Sequence, residues 1–293
     1  MTPNEYGTLR HVAVTHARDA YVDQATIDRQ WESLAFTGRP DFARAVAQHD
    51  AFIGILRAAG AVVHLLPPST GTTLDAIYAR DGSLACPNGV VLCSMGKAAR
   101  AREPEAQGAA YTAQDPPVPI LGRIEPPGTI EGGDVVWLGP RTLAAGVGYR
   151  TNVEGIGQLR RLLGTGIDEL IEVPLPHWRG PGDVLHLMSL LSPVDEDLAV
   201  VYSPLLSVPF RQRLVAMGIS FVEVPEAEFD TMGVNVLALA PRRCLMLSGN
   251  PRTRETLERA GASVTEYDGS EISVKGCGGP TCLTRPLVRE SSR

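Results

Sequence analysis

No apolar run in this chain approaches the roughly 20 residues needed to cross a bilayer; stretches such as Gly233 to Pro241 are far shorter. The first residues, MTPNEYGTLR, have neither the basic segment nor the apolar core of a secretory leader. Cysteine is scarce and unpaired in pattern: Cys86, Cys93, Cys244, Cys277 and Cys282, with no CxxC. These absences lead us to expect a cytoplasmic protein with reduced thiols and no zinc site. Positive charge is in deficit, with 27 Lys+Arg against 33 Asp+Glu and a net charge of -6, so the basic footprint of a nucleic-acid binder is missing. What is present is an ordinary globular composition, 44% hydrophobic and 20% charged in 293 residues, which excludes wholesale disorder and suffices for a substantial core.

A coarse pattern repeats: apolar run, turn, apolar run, helix-like segment, then a glycine-led strand. The clearest copy spans Gly133 to Pro174. Asp134–Leu138 and Thr142–Val147 read as strands around Gly139-Pro140. Asn152 can cap a helix over Val153–Leu163, whose Ile156, Leu159, Leu162 and Leu163 share a face. A strand at Leu170–Val173 follows. The same order predicts Val184–Leu190, Asp197–Tyr202, a helix near Val208–Met217 and Ile219–Val224. It recurs as Val234–Leu239, Cys244–Leu247, a helix near Thr253–Ala260 and Ser263–Glu266. Upstream, Gly82–Cys86 and Gly89–Ser94 make a hairpin, followed by helix, loop and the strand Val118–Leu121. The first unit is split: a helix over residues 41–59 and a strand at Val62–Leu66 need Leu9–Thr15 to pair with Leu283–Val288. Five ββαβ units at a period of 50–60 residues suggest a repeat array closed by its termini. A generic α/β sandwich is the alternative that patterning leaves open.

Chemistry-bearing residues fall at comparable places in four of these units. Asp81 lies in LDAIYARDGSL just before a strand, with Asp75 six residues earlier. Glu131 and Asp134 flank two glycines in TIEGGDVVWL, where missing side chains permit close backbone approach. His186 sits in the apolar GDVLHLMSLL, and Cys282 follows a Gly-Gly-Pro turn in GCGGPTCLTRPL. Taken singly, each has a bland reading: turn acid, core histidine, small buried thiol. Closing the ring would bring all four to its axis, as the Cys/His/acid set that nucleophilic catalysis needs.

EGGDV, a later RTN, HL in an apolar strand, GxNVLALAP and a final GGPxC together resemble the guanidino-group modifying enzymes: arginine deiminases, amidinotransferases and dimethylarginine dimethylaminohydrolases. The resemblance runs from about Asp75 to Arg289. It implies a five-bladed pseudo-symmetric α/β propeller of ββαβ modules, residues 1–293 forming one catalytic domain. It also implies a hydrolase that gives citrulline plus an amine through a covalent thiouronium, with no cofactor or metal. By motif, Cys282 resembles the nucleophile, His186 the general acid/base and Glu131 the carboxylate that orients it. Asp81 matches the guanidinium acceptor and Asp75 a further substrate contact. Arg150, in GYRTN, matches a substrate-carboxylate arginine, and a second matches Arg100, with Arg102 as its neighbour and alternative. Relatives that read HLD carry an aspartate where this chain has Met188, and an apolar side chain there suits a methylated nitrogen. The small chain favours the dimethylarginine hydrolases, whereas Arg80 before Asp81 is deiminase-like. Amidino transfer, arginine deimination and, remotely, non-catalytic binding of cationic amino acids are the alternatives. A small guanidino substrate is the expected partner, with neither membrane nor nucleic acid, and the family allows a homodimer.

Overall fold

The computed structural model describes residues 4–183 and 185–290. Its strands form five three-stranded sheets of one design. In the first, Thr8–Thr15 (β1) lies between Val62–Leu66 (β2), which is parallel to it, and Arg285–Glu290 (β15), which is antiparallel. The second contains Ser83–Cys86 (β3), Gly89–Leu92 (β4) and Ile120–Arg123 (β5); the third contains Val135–Gly139 (β6), Thr142–Val147 (β7) and Glu169–Pro174 (β8). Leu191–Pro193 (β9), Leu198–Val201 (β10) and Ser220–Glu223 (β11) make the fourth. Val236–Ala240 (β12), Arg243–Leu247 (β13) and Ser263–Tyr267 (β14) make the fifth. In the second to fifth sheets the middle strand meets a hairpin partner antiparallel on one side and a crossover partner parallel on the other.

Helices Phe42–Ala58, Glu103–Thr112, Val153–Leu163, Val208–Ala216 and Pro251–Arg259 make the crossovers. Their starts are written locally. Asn152 Oδ1 accepts from Gly155 N at 2.8 Å and Asp41 Oδ1 from Arg44 N at 2.8 Å, caps of the kind that contribute about 1 kcal/mol each. Pro209 stands second in Val208–Ala216 and Pro251 first in Pro251–Arg259, within the first turn where a proline loses no helical hydrogen bond.

Alternation along the strands decides how the sheets pack, because successive side chains point to opposite faces. On β6, Val135 and Trp137 face the second sheet, while Val136 and Leu138 face the fourth. On β10, Ala199 and Val201 face the third sheet and Leu198 and Val200 the fifth. On β13, Cys244 and Met246 face the fourth sheet and Leu245 and Leu247 the first. Ala13 and Leu66 meet Val90 and Leu92 of the second. Every cluster is therefore shared between two sheets, and the circuit of contacts returns to its start.

Two features differ from the sequence expectation. The strand expected at Val184–Leu190 is a short 3-10 turn, Leu187–Ser189, and pairing begins only at Leu191; Val184 lies outside the described residues. Polar side chains impose the turn: Asp134 Oδ1 accepts from Leu187 N at 3.0 Å, and Ser189 Oγ accepts from His186 N at 3.2 Å. Two small helices, Ala17–Tyr21 and Gln24–Gln30, also precede the first long helix. No helix among the described residues is long and apolar enough to cross a membrane.

Candidate active site

A residue just before the first strand of each sheet's hairpin enters one site. Asp81 precedes β3, Glu131 precedes β6, His186 precedes β9 and Cys282 precedes β15. The fifth equivalent, before β12, is Asn235. Its role escaped the sequence reading although GVNVLALAP was singled out, and its matching place in the remaining repeat was the available signal. Asn235 Nδ2 donates to Cys282 Sγ at 3.2 Å, while its Oδ1 accepts from Thr281 N at 2.9 Å and Thr281 Oγ1 at 2.8 Å. The amide thus fixes the turn that presents the thiol.

His186 Nε2 lies 2.8 Å from Glu131 Oε2, and its Nδ1 lies 3.9 Å from Asp81 Oδ1. Both are buried, Glu131 completely. Burial opposes charge on the imidazole, but Asp81, Asp134 and Glu131 outweigh it and raise His186 to about 9. Burial alone would also raise Glu131; the His186 hydrogen bond and charge, with Arg100 and Arg150, hold it well below the usual carboxylate range. The Cys282 thiol is pushed up by burial and by Asp81, only partly offset by hydrogen bonds from Asn235 and Thr281. A cation placed against Asp81 would cancel part of that rise and favour the thiolate.

The EGGD glycines do what their spacing suggested. A Cβ at Gly133 would strike His186 Nδ1 and crowd Asp81 Oδ1, and Gly133 N donates to Asp81 Oδ1 at 2.9 Å. Asp81 Oδ2 takes Arg100 Nη1 at 2.6 Å. Arg100 is spent otherwise on Glu103, through Nε at 2.9 Å and Nη2 at 2.7 Å, and on the Tyr78 carbonyl at 3.0 Å. It therefore secures Asp81 and lacks the free fork that a substrate carboxylate needs. Arg102 lies on the surface beside Glu105. Arg150 reaches both Glu131 oxygens, each at 3.4 Å.

Asp75, Asp81, Lys97, Arg100, Arg150, His186 and Cys282 line one cavity of about 490 Å³. Met188 does not join them. It is 3% exposed and packs in the cluster between the third and fourth sheets, so it is a core residue rather than the substrate contact expected. The 3-10 turn that replaces a regular strand turns it inward. Asp81, Glu131 and His186 bring potential metal-ligand atoms within 4.8 Å of one another. Arg100 already pairs with Asp81 and Arg150 with Glu131, so two guanidinium groups meet this cluster.

The arginine deiminase family model matches residues 73–215 and 206–289. The chain belongs to the arginine deiminase family. Within this family it is 31% identical to the N(G),N(G)-dimethylarginine dimethylaminohydrolase of Pseudomonas aeruginosa, over 84% of this chain and 90% of that protein. It is 29% identical to the arginine deiminase of Rhodococcus erythropolis, over 73% of this chain but 60% of the longer deiminase. Among solved structures, a cysteine-to-serine dimethylarginine dimethylaminohydrolase from Pseudomonas aeruginosa, complexed with citrulline, superposes with a TM-score of 0.75 at 26% identity, covering 94% of this chain and 98% of that one. The arginine deiminase family is part of the guanidino-group modifying superfamily that the motifs resemble, and this member lies close to its dimethylarginine hydrolases.

Proposed function

We propose that the protein is a hydrolase that attacks the guanidino carbon of an arginine-like substrate through the Cys282 thiolate. One observation carries this reading: the thiol, the His186–Glu131 pair and the Asp81 carboxylate line or border a single cavity. Asp81 holds the guanidinium cation, and that charge favours the thiolate it faces. Sulfur bonds to the guanidino carbon, His186 delivers a proton to the departing amine, and the C–N bond breaks. Water activated by the now neutral His186 then attacks the thiouronium, a ureido product forms, and Cys282 leaves. Glu131 keeps the imidazole oriented and stabilises its charged form. The one-domain reading goes with this: the closed circuit of shared clusters and the β1–β15 pairing support a five-bladed propeller with the site on its axis.

Product analysis tests the proposal. The wild-type protein is expected to release an amine or ammonia from at least one guanidino compound in a panel of dimethylarginine, monomethylarginine, arginine, agmatine and arginine with glycine. Cys282→Ser is expected to abolish this. Full turnover by Cys282→Ser would sink the mechanism, and product that appears only with an added amine would mark a transferase.

A further inference from the structure

Lys97 stands in the same cavity, unused by the chemistry above. Its Nζ donates to Asp75 Oδ2 at 2.6 Å and to the Leu34 carbonyl oxygen at 2.9 Å. Asp75 and Leu34 both line the cavity. A carboxylate and a carbonyl held this way form the acceptor pair that a primary ammonium ion needs, and Lys97 fills it from within the chain. An ammonium has three N–H donors. Two are taken, and with the side chain 22% exposed one is left for a ligand.

Arg150 is its neighbour. Gly96 packs so tightly on the Arg150 backbone that a Cβ there would lie 2.6 Å from the Arg150 carbonyl oxygen. Lys97 N and Arg150 Nη1 meet on the same oxygen, Glu131 Oε1, at 3.0 and 3.4 Å. Among the described residues, Arg150 has no other hydrogen-bond partner for its side chain. Arg100, the other arginine of the wall, is consumed by Asp81 and Glu103.

Resting on the guanidino-hydrolase reading, we infer that the preferred substrate is an ω-guanidino carboxylic acid with no amino group beside its carboxylate. The guanidinium goes to Asp81 and the carboxylate to Lys97 and Arg150. An α-amino acid brings a second ammonium against Lys97, whose acceptors are spent, and like charges at short range in a half-enclosed cavity repel. A guanidino amine without a carboxylate offers no acceptor to the third Lys97 N–H or to the remaining Arg150 donors.

The test compares kcat/KM for 4-guanidinobutyrate, arginine and agmatine with the full-length protein. 4-Guanidinobutyrate is expected to lead by at least about tenfold, 1.4 kcal/mol in transition-state binding. Lys97→Met keeps the stem and removes the charge. It is expected to weaken 4-guanidinobutyrate about tenfold or more and to improve arginine, whose ammonium gains Asp75 and the Leu34 carbonyl. Calorimetric binding to Cys282→Ser is expected to repeat the wild-type ranking without turnover. Wild-type preference for arginine, unchanged by Lys97→Met, overturns the inference, while the hydrolase reading stands. Neither turnover nor binding of any of the three sinks both.

Discussion

His186 shows how far a side chain's chemistry depends on its neighbours. Its ordinary pKa would leave it mostly neutral at pH 7; the three carboxylates around it raise it to about 9. A general acid must be protonated, so the activity it supports is present below that value and lost as pH rises through it. We expect kcat/KM to fall on the alkaline side near pH 9. Glu131→Gln keeps a hydrogen-bond partner but removes a charge that favours the imidazolium, so the falling limb should move to lower pH. A pH–rate profile in which the limb stays in place would remove His186 from the role. His49 shows the opposite case. It is fully buried on the helix Phe42–Ala58, accepts from Ala17 N at 2.8 Å, and is pushed down to about 3 by desolvation, which keeps it neutral. The helical spacing of residues 41–59 does not distinguish a buried imidazole from a surface one.

Among the elements, the Gly132–Asp134 turn is tightly constrained. It carries Glu131 into the site, gives a backbone N–H to Asp81, and lies against His186. Gly133→Ala would push the imidazole or the carboxylate aside. A displacement near 1 Å at a reacting group costs on the order of 10²-fold in rate. We expect that loss in kcat with the thermal midpoint changed little, because the contact is local. Wild-type kcat in Gly133→Ala would show that the site tolerates the shift. The turn at Leu187–Ser189 makes the same point from the other direction. Its apolar letters read as strand, but Asp134 and Ser189, which bond its ends, decide otherwise.

For the whole molecule, stability is shared around the circuit. No sheet buries both faces without two neighbours, and β1 is central to a sheet whose other edge comes from the chain's end. A chain ended before Arg285 loses the antiparallel partner of β1 and leaves its backbone groups and the first sheet's face open. We expect such a truncation to show no cooperative unfolding in calorimetry or circular dichroism. A native-like melting transition would mean that closure through the termini is dispensable.

The sequence by itself determined the local grammar. Period-two apolar runs, glycine-led strands and the Asn152 cap place the Val153–Leu163 helix and the Thr142–Val147 strand at their observed bounds. Residue type and repeat position named Cys282, His186, Glu131 and Asp81, because chemistry of that kind uses few side chains. Only the tertiary structure decided which long side chains are free. Arg100 and Arg150 look alike in sequence, yet Glu103 and Asp81 consume the first and leave the second available. Met188 sits two residues from His186 and still turns into the core, and Lys97, unremarkable in GKAARAR, reaches Asp75 and Leu34 across the cavity. The reason is physical: periodicity records which face of an element is apolar, whereas a charged side chain's partner is set by distances between elements far apart in the chain.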